Sequence, residues 1–310
     1  MDEVKVPGLG RKVSRIGFGC WGIGGHGYGP VDDSDSVKAV NLALDLGINL
    51  FDTANVYGFG HSERILGRSL RGRWHEAVVC SKFGMDWNDA GETWKDSSPG
   101  GARQAIEGSL RRLGTDVIDL YLVHWKDSAT PLEATIETLR RLREEGKIIA
   151  FGLSNVRRKE FSETIEAYEL SALQLAFGLA DRGNGPFLAT ASRKGLLTMA
   201  YGAVGRGVLS GEYTENHRFP PNDTRSDDPN FRGERLRKRL ELVRCLADVG
   251  SGYGRSPAEV ALRWVLDTSF TSAVIVGMTR ANQVLTNSTL SEWSLSDDDF
   301  RTLEKCGNVS

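Results

Sequence analysis

The stretch INLFDTANVYG, residues 48–58, decides the fold, because a short apolar run ends here in a carboxylate and a phenol. Asp52 closes the apolar run, and Tyr57 follows it five residues later. Short apolar runs bounded by turn signals are typical of buried strands. A carboxylate at the end of such a strand favours a parallel sheet whose strand ends form a functional site.

Two further apolar runs repeat this arrangement. AVVCSK, residues 77–82, ends in Lys82, and IDLYLVH, residues 118–124, ends in His124. Three successive predicted strands thus carry a carboxylate, an ammonium and an imidazole at their carboxyl ends, with the Tyr57 phenol close by. In a closed parallel barrel these strand ends form one rim, so we expect the four side chains to lie together.

Strands and helices alternate along nearly the whole chain, which favours a parallel sheet. The predicted strands are residues 14–19, 48–53, 77–82, 116–124, 148–154, 171–177, 195–202 and 272–278. The predicted helices are residues 35–46, 61–71, 101–113, 131–146, 157–168, 186–194, 231–249, 256–267 and 281–288. Eight strand–helix units in a chain of 310 residues fit an α/β fold of the (β/α)8 TIM barrel type.

The two ends of the chain add smaller elements to this barrel. EVKVPGLGRKVS, residues 3–14, predicts a β-hairpin that closes the bottom of the barrel. Extra short helices are predicted at the C-terminal end. The polar segment 83–100 is interpreted as a loop. We find no internal repeat and no low-complexity linker, so one barrel domain is predicted over residues 1–310.

Charge and composition limit the classes of function. A formal net charge of −2 gives no global electrostatic reason to bind nucleic acid or an anionic membrane. No apolar run approaches the ~18 residues of a spanning helix, and no secretory signal is visible, so a cytoplasmic location is expected. Cys20, Cys80, Cys245 and Cys306 form no zinc-binding spacing. We interpret them as free thiols in a reducing compartment, and no metal site is predicted.

The segment GFGCWG, residues 17–22, matches the glycine pattern of a dinucleotide-binding loop. In that motif a helix begins within the glycines, so that its N-terminus meets the pyrophosphate. Here the chain continues as GIGGHGYGPVDD, and no helix can start before about residue 34. We therefore interpret the segment as a glycine-rich loop at the barrel rim.

The four rim residues have the chemistry that carbonyl reduction needs. Hydride addition builds negative charge on the carbonyl oxygen, which a proton donor must neutralise. Tyr57 is the candidate acid, and a nearby Lys82 is expected to lower its pKa toward neutrality. Asp52 is expected to hold Lys82, and His124 to orient the substrate oxygen. Each residue alone has a structural interpretation, such as a turn cap or loop anchor, but their joint placement favours catalysis.

Several motifs together resemble the aldo-keto reductases from about residue 14 to residue 288. They are GFGCW, INLFDTANVYGFGHSERILG, VVCSK, DLYLVHW, IIAFGLSN, AYGAVGRGVLSG and IVGMTRANQVLTN. The resemblance implies a barrel that reduces aldehydes and ketones with NAD(P)H and without metal. It also assigns the four catalytic roles to Asp52, Tyr57, Lys82 and His124.

The resemblance further implies how the cofactor is held. Ser154, Asn155 and Gln174 match the positions that bind the nicotinamide carboxamide, and Tyr201 matches the ring that stacks on the nicotinamide. The other implied cofactor residues are Gly19, Cys20, Trp21, Asp52, Gly202, Val204, Gly205, Arg206, Gly207, Val276, Gly277, Thr279, Arg280, Gln283 and Asn287.

The implied cofactor is NADP(H), and NAD(H) stays open. Many NADPH-preferring members of the family carry a lysine at the place of Gly277 and an arginine at that of Gln283. Arg280 is the cation that remains here for a 2′-phosphate.

The implied substrate is a small carbonyl or alcohol. Aromatic side chains at the rim suit an aldehyde, a ketone or a sugar alike. The predicted substrate pocket consists of Trp21, Tyr57, Trp87, His124 and Trp125. The polar 83–100 segment fits a hydroxylated substrate or a solvated loop equally well. A monomer and a homo-oligomer are both compatible with the sequence.

Two other functions fit parts of the pattern. A cofactor-binding regulatory subunit with little or no turnover would share the fold, but the complete set of four rim residues favours catalysis. A metal-dependent hydrolase would need several ligands at strand ends, and only His124 and Asp52 qualify.

Overall fold

The computed structural model describes residues 1–27, 29, 31–220 and 223–307. Its strands are β1 (Glu3–Lys5), β2 (Lys12–Ser14), β3 (Ile16–Gly19), β4 (Leu50–Asp52), β5 (Val78–Phe83), β6 (Met85–Trp87), β7 (Thr93–Lys95), β8 (Ile118–Val123), β9 (Ile148–Ser154), β10 (Ala172–Ala176), β11 (Leu197–Tyr201) and β12 (Ala273–Gly277). Its α-helices are α1 (Asp33–Asp45), α2 (His61–Ser69), α3 (Pro99–Leu113), α4 (Leu132–Glu144), α5 (Arg158–Ala167), α6 (Gly185–Arg193), α7 (Gly233–Ser251), α8 (Pro257–Asp267), α9 (Ala281–Ser288) and α10 (Asp297–Gly307).

Eight strands close into a parallel barrel in the order β3, β4, β5, β8, β9, β10, β11, β12, with β12 paired back to β3. Helices connect the successive strands of the barrel. β1 and β2 pair in antiparallel fashion as the N-terminal hairpin, and α9 and α10 finish the chain. The predicted (β/α)8 fold, the hairpin and the C-terminal helices are therefore confirmed.

The core has two layers, as expected for strands that alternate between facing inward and outward. The inner layer fills the barrel with side chains such as Leu50, Leu120 and Met199. Val6 and Leu9 of the hairpin turn belong to the same inner cluster, so the hairpin closes one end of the barrel. The outer layer packs the opposite faces of the strands against the helices.

The candidate rim residues continue the inward-facing register of their strands. In each case an interior apolar residue precedes the polar one by two positions: Leu50 and Asp52, Cys80 and Lys82, Leu122 and His124, Ala172 and Gln174, Met199 and Tyr201. Since side chains alternate along a strand, both members of each pair face the barrel interior. The apolar members fill the barrel, and the polar members meet at its carboxyl-terminal end.

The segment 83–100 differs from the predicted loop. β6 and β7 form an antiparallel hairpin in which Asp86 pairs with Trp94. Its strands have three residues each, too short for a clear alternating pattern in the sequence. The hairpin directly follows β5, the strand that carries Lys82. An ordered hairpin, rather than a loop, therefore lies next to the candidate site.

The interpretation of all four cysteines as free thiols is wrong for one pair. Cys245 on α7 and Cys306 on α10 form a disulfide that joins the C-terminal helix to the barrel's outer ring. Cys20 and Cys80 are free and buried. The 61-residue separation of the bonded pair left no local spacing by which to recognise it. In the described part of the chain, no helix is long and apolar enough to cross a membrane.

Candidate active site

Three of the four predicted catalytic residues form one hydrogen-bonded group at the carboxyl end of β4 and β5. The Nζ atom of Lys82 donates to Oδ1 of Asp52 at 2.7 Å and to the backbone oxygen of Thr53 at 2.8 Å. It also donates to the hydroxyl of Tyr57 at 3.3 Å. Lys82 is fully buried and Asp52 is 4% exposed. A buried ammonium thus connects a carboxylate to a phenol.

His124 completes the group from the neighbouring strand β8. Its ring meets the Tyr57 ring edge-on, with 5.6 Å between the centroids. Its backbone N–H donates to the carbonyl of Phe83 at 2.7 Å, which continues the barrel ladder one step past β8. The structure therefore brings all four predicted residues together at one point of the rim.

Burial is the main influence on the protonation states of Tyr57 and His124. It raises the pKa of Tyr57 above its ordinary value, and the charge of Lys82 offsets only part of this rise. The expectation that Lys82 would bring this pKa toward neutrality is therefore wrong, because the cost of burying a phenolate is larger. Burial, with a smaller contribution from Lys82, holds the pKa of His124 well below its ordinary value. At neutral pH the site holds a protonated phenol and a neutral imidazole.

Lys82 keeps its charge in spite of its burial. Burial alone would lower the pKa of an ammonium. Burial is the largest single influence on the pKa of Lys82, but the contributions of Asp52, Tyr57 and Cys80 together outweigh it and raise this pKa. The site therefore retains a fixed positive charge at 3.3 Å from the phenol oxygen.

The residues predicted to bind the carboxamide differ in how many of their hydrogen-bonding groups already have partners. Ser154 is 2% exposed, and its Oγ has no hydrogen-bond partner among the described residues. Asn155 is already engaged: its Oδ1 accepts from the Tyr201 hydroxyl at 2.7 Å, and its Nδ2 donates to the carbonyl of His124 at 3.1 Å. The Nε2 atom of Gln174 donates to Oδ2 of Asp52 at 2.6 Å.

The loop after β11, which carries several of the implied cofactor residues, has an unusual backbone. Gly205, Arg206 and Gly207 have φ angles of 57°, 58° and 96° in succession. A left-handed conformation at a non-glycine residue is costly and is often found at functional sites. Arg206 Nη1 donates to Asp228 at 2.9 Å, and its guanidinium lies 5.5 Å from the centre of a ring of Trp21. The loop thus contacts the aromatic rim directly.

The N-terminus of α9 is occupied by one of its own side chains. Oε1 of Gln283 accepts from the backbone N–H of Thr279 at 2.8 Å and from that of Arg280 at 3.2 Å. Arg280 itself is exposed at the N-terminal end of the helix. Asn287, one helical turn beyond Gln283, is buried. The implied cofactor residues Arg280, Gln283 and Asn287 therefore lie together on this segment.

Four of the five predicted pocket residues form one aromatic surface. Trp21 stacks on Tyr57 at 6.1 Å, and the His124 ring lies 6.4 Å from that of Trp125. Trp21 and Trp125 are 40% and 36% exposed, so aromatic surface faces the outside of the rim. Trp87 contacts a different pair, the Phe59 ring at 6.3 Å and the Arg112 guanidinium at 5.4 Å.

Two features of the rim had no signal in the sequence. Lys95 of β7 places its ammonium 4.7 Å from the centre of a Trp125 ring, a cation–π contact that depends on the folded hairpin. Asp228 is the carboxylate that holds Arg206, although 22 residues separate the two. Within the described residues, no group of three or more His, Cys, Asp and Glu side chains is placed to bind a metal.

Comparison with known proteins gives one consistent family. The model of the Aldo/keto reductase family matches residues 15–308. Aldo-keto reductase yakc of Schizosaccharomyces pombe, whose name specifies NADP(+), is 31% identical over 305 residues, covering 96% of this chain and 89% of its own length. The NADH-specific methylglyoxal reductase of Escherichia coli is 31% identical over 315 aligned residues, with 96% of both chains covered.

A solved structure agrees with these relatives. The glycerol dehydrogenase AKR11B4 from Gluconobacter oxydans superimposes with a TM-score of 0.90 and is 34% identical. The alignment covers 98% of this chain and 94% of that one. The similarity therefore includes the whole barrel and its rim.

Proposed function

The chain belongs to the aldo-keto reductase family and is an oxidoreductase, and from this premise we propose that it interconverts small carbonyl compounds and alcohols, with a nicotinamide cofactor as hydride donor and acceptor. One observation carries the proposal: Lys82 Nζ lies 2.7 Å from the Asp52 carboxylate and 3.3 Å from the Tyr57 hydroxyl. This arrangement supports proton transfer to a carbonyl oxygen at the rim. We also propose that residues 1–310 act as a single barrel domain.

The residues at the rim fit such a cofactor. Ser154 supplies a buried hydroxyl without a partner among the described residues. Gly202 and Gly277 leave open space, since a Cβ on either would meet no atom within 4 Å. The left-handed Gly205–Arg206–Gly207 turn lies among the implied cofactor residues, and its glycines let a ligand approach the backbone closely. When bound, the cofactor supplies a hydride in reduction and accepts one in alcohol oxidation.

The chain's own residues supply the proton chemistry. His124 is neutral and can donate one N–H to the substrate oxygen, which orients the carbonyl toward Tyr57. Tyr57 then donates its proton as negative charge builds on that oxygen. Lys82 stabilises the resulting phenolate at 3.3 Å, and Asp52 holds Lys82 in position. In alcohol oxidation the same groups act in the reverse order.

We propose a small oxygenated carbonyl as the substrate. The names of two similar proteins refer to three-carbon compounds, glycerol and methylglyoxal. The exposed rings of Trp21 and Trp125 offer stacking surface, and the Lys95 ammonium beside Trp125 offers a hydrogen-bond donor. These groups suit a short substrate with more than one oxygen.

Titration with NADPH and NADH tests the proposal, followed by a panel of carbonyl compounds that includes methylglyoxal and glyceraldehyde. We expect saturable binding of at least one cofactor and loss of absorbance of the reduced nicotinamide when a carbonyl is added. We expect NADPH to be favoured, because Arg280 lies exposed at the N-terminal end of α9. Cofactor binding without turnover of any carbonyl would instead support the regulatory subunit.

The two directions of the reaction should respond to pH in opposite ways. Reduction needs the protonated phenol, whose pKa is raised, so its kcat should stay level from pH 6 to about 9 and fall only at higher pH. Oxidation needs the phenolate, so its kcat should rise with pH. Steady-state rates across this pH range measure both. A reduction rate that falls between pH 6 and about 8 would assign the proton donor to an imidazolium instead.

A further inference from the structure

The second oxygen of the Asp52 carboxylate is held from the far side of the barrel. Gln174 lies on β10, which is four strands away from β4 in either direction around the barrel. Its Nε2 nevertheless reaches Oδ2 of Asp52 at 2.6 Å. Gln174 is 3% exposed and Asp52 is 4% exposed, so water does not replace this contact.

The direction of this hydrogen bond is fixed by chemistry. An ionised carboxylate only accepts hydrogen bonds, so the amide nitrogen of Gln174 must face it. The other carboxylate oxygen already accepts from Lys82. Gln174 and Lys82 thus donate to opposite oxygens of the Asp52 carboxylate and fix its orientation. The orientation of the carboxylate in turn fixes the position of the Lys82 ammonium.

We propose that Gln174 is a positioning residue for the proton donor: by holding Asp52, it fixes the ammonium of Lys82 beneath the Tyr57 hydroxyl. This inference rests on the proposed carbonyl–alcohol function. It adds a role to the carboxamide contact implied by the family resemblance, because one N–H of the Gln174 amide is committed to Asp52.

Gln174→Met tests the role, since methionine keeps a similar length and has no donor. We expect kcat for methylglyoxal reduction to fall about tenfold to a hundredfold, the scale on which small misplacement of a reacting group acts. Gln104→Met, the same change at an exposed site on α3, is the matched control and should leave kcat unchanged.

A cofactor analogue separates this role from a contact between Oε1 of Gln174 and the carboxamide N–H. In the 3-acetylpyridine analogue a methyl ketone replaces the carboxamide, so it has no N–H to donate to Oε1 of Gln174. If Gln174 acts through Asp52, the Gln174→Met penalty on kcat should be equal with the natural cofactor and the analogue. A penalty that disappears with the analogue would overturn the inference. Absence of turnover in the unaltered enzyme would instead reject the proposed function.

The variant Gln174→Glu tests the contact through the pH dependence of protein stability, which needs neither cofactor nor substrate. The introduced carboxyl group can still donate to Asp52 while it is protonated, whereas its ionised form repels Asp52 and the pair must share a proton. Burial beside Asp52 should raise the pKa of the introduced carboxyl above that of the unfolded chain, so the stability it provides is lost as pH rises. The unfolding equilibrium constant of this variant, relative to the unaltered protein, should therefore grow by about tenfold per pH unit above pH 5, up to that pKa.

The other titratable groups near Asp52 should not alter this pH dependence of unfolding. Burial raises the pKa of Cys20, of Cys80 and of Tyr201, and each stays neutral over this range. The pKa of His124 lies well below its ordinary value, and Lys82 stays charged. An unfolding profile parallel to that of the unaltered protein would mean that residue 174 does not contact Asp52, and would overturn the inference. Recovery of kcat at acid pH in Gln174→Glu should accompany the stability change.

Discussion

Tyr57→Phe should lower kcat for carbonyl reduction by about 10²- to 10⁴-fold, the contribution that a general acid makes. The substitution removes only the hydroxyl that lies 3.3 Å from Lys82 Nζ. The ring contacts with Trp21 and His124 are kept, so the aromatic surface of the site should persist. The dissociation constant of the cofactor should therefore change little. Stopped-flow reduction of methylglyoxal and a fluorescence titration with NADPH measure the two quantities.

A second tyrosine gives the matched control for this experiment. Tyr168 packs against the outer core at the C-terminal end of α5, away from the rim. Tyr168→Phe should leave both kcat and cofactor affinity unchanged. Reduction that continues in Tyr57→Phe at the rate of the unaltered enzyme would exclude Tyr57 as the acid. A parallel loss of cofactor binding would point to a structural role for its hydroxyl.

The fold and the composition of the rim could be predicted because both depend on local periodicity. Each barrel strand is a short apolar run, and in five of them a polar rim residue lies two positions beyond an interior one. Asp52 after Leu50 and Lys82 after Cys80 are examples of this rule. Once the barrel is inferred, strand-end residues are known to meet, because all eight strands are parallel.

The contacts between distant parts of the chain could not be predicted in this way. Gln174 and Asp52 are 122 residues apart and meet only across the closed barrel. The pKa of Tyr57 depends on how many groups surround its hydroxyl, which no spacing in the sequence reports. The resemblance gave Gln174 a place near the cofactor, but it gave no indication that the donor of this residue is used by the catalytic carboxylate.

Lys82→Met should destabilise the protein as well as inactivate it. The substitution removes a buried charge and leaves the Asp52 carboxylate, 4% exposed, with Gln174 as its donor across the barrel. Breaking a buried ion pair in this manner costs about 3–5 kcal/mol. We expect the lower part of that range, because Gln174 still donates to Oδ2. Urea unfolding at pH 7 measures the free energy of unfolding, and kcat should fall at least as far as in Tyr57→Phe.

The double variant Asp52→Asn/Lys82→Met separates charge from packing in this prediction. It replaces both charged groups with neutral ones of similar size, so no uncompensated charge remains in the barrel. Replacing a whole buried pair is often close to neutral for stability, whereas removing one partner is not. We therefore expect the double variant to regain most of the stability that Lys82→Met loses and to stay inactive, since the ammonium beside Tyr57 is absent. A double variant as unstable as Lys82→Met would show that the lysine stabilises the barrel through its packing rather than its charge.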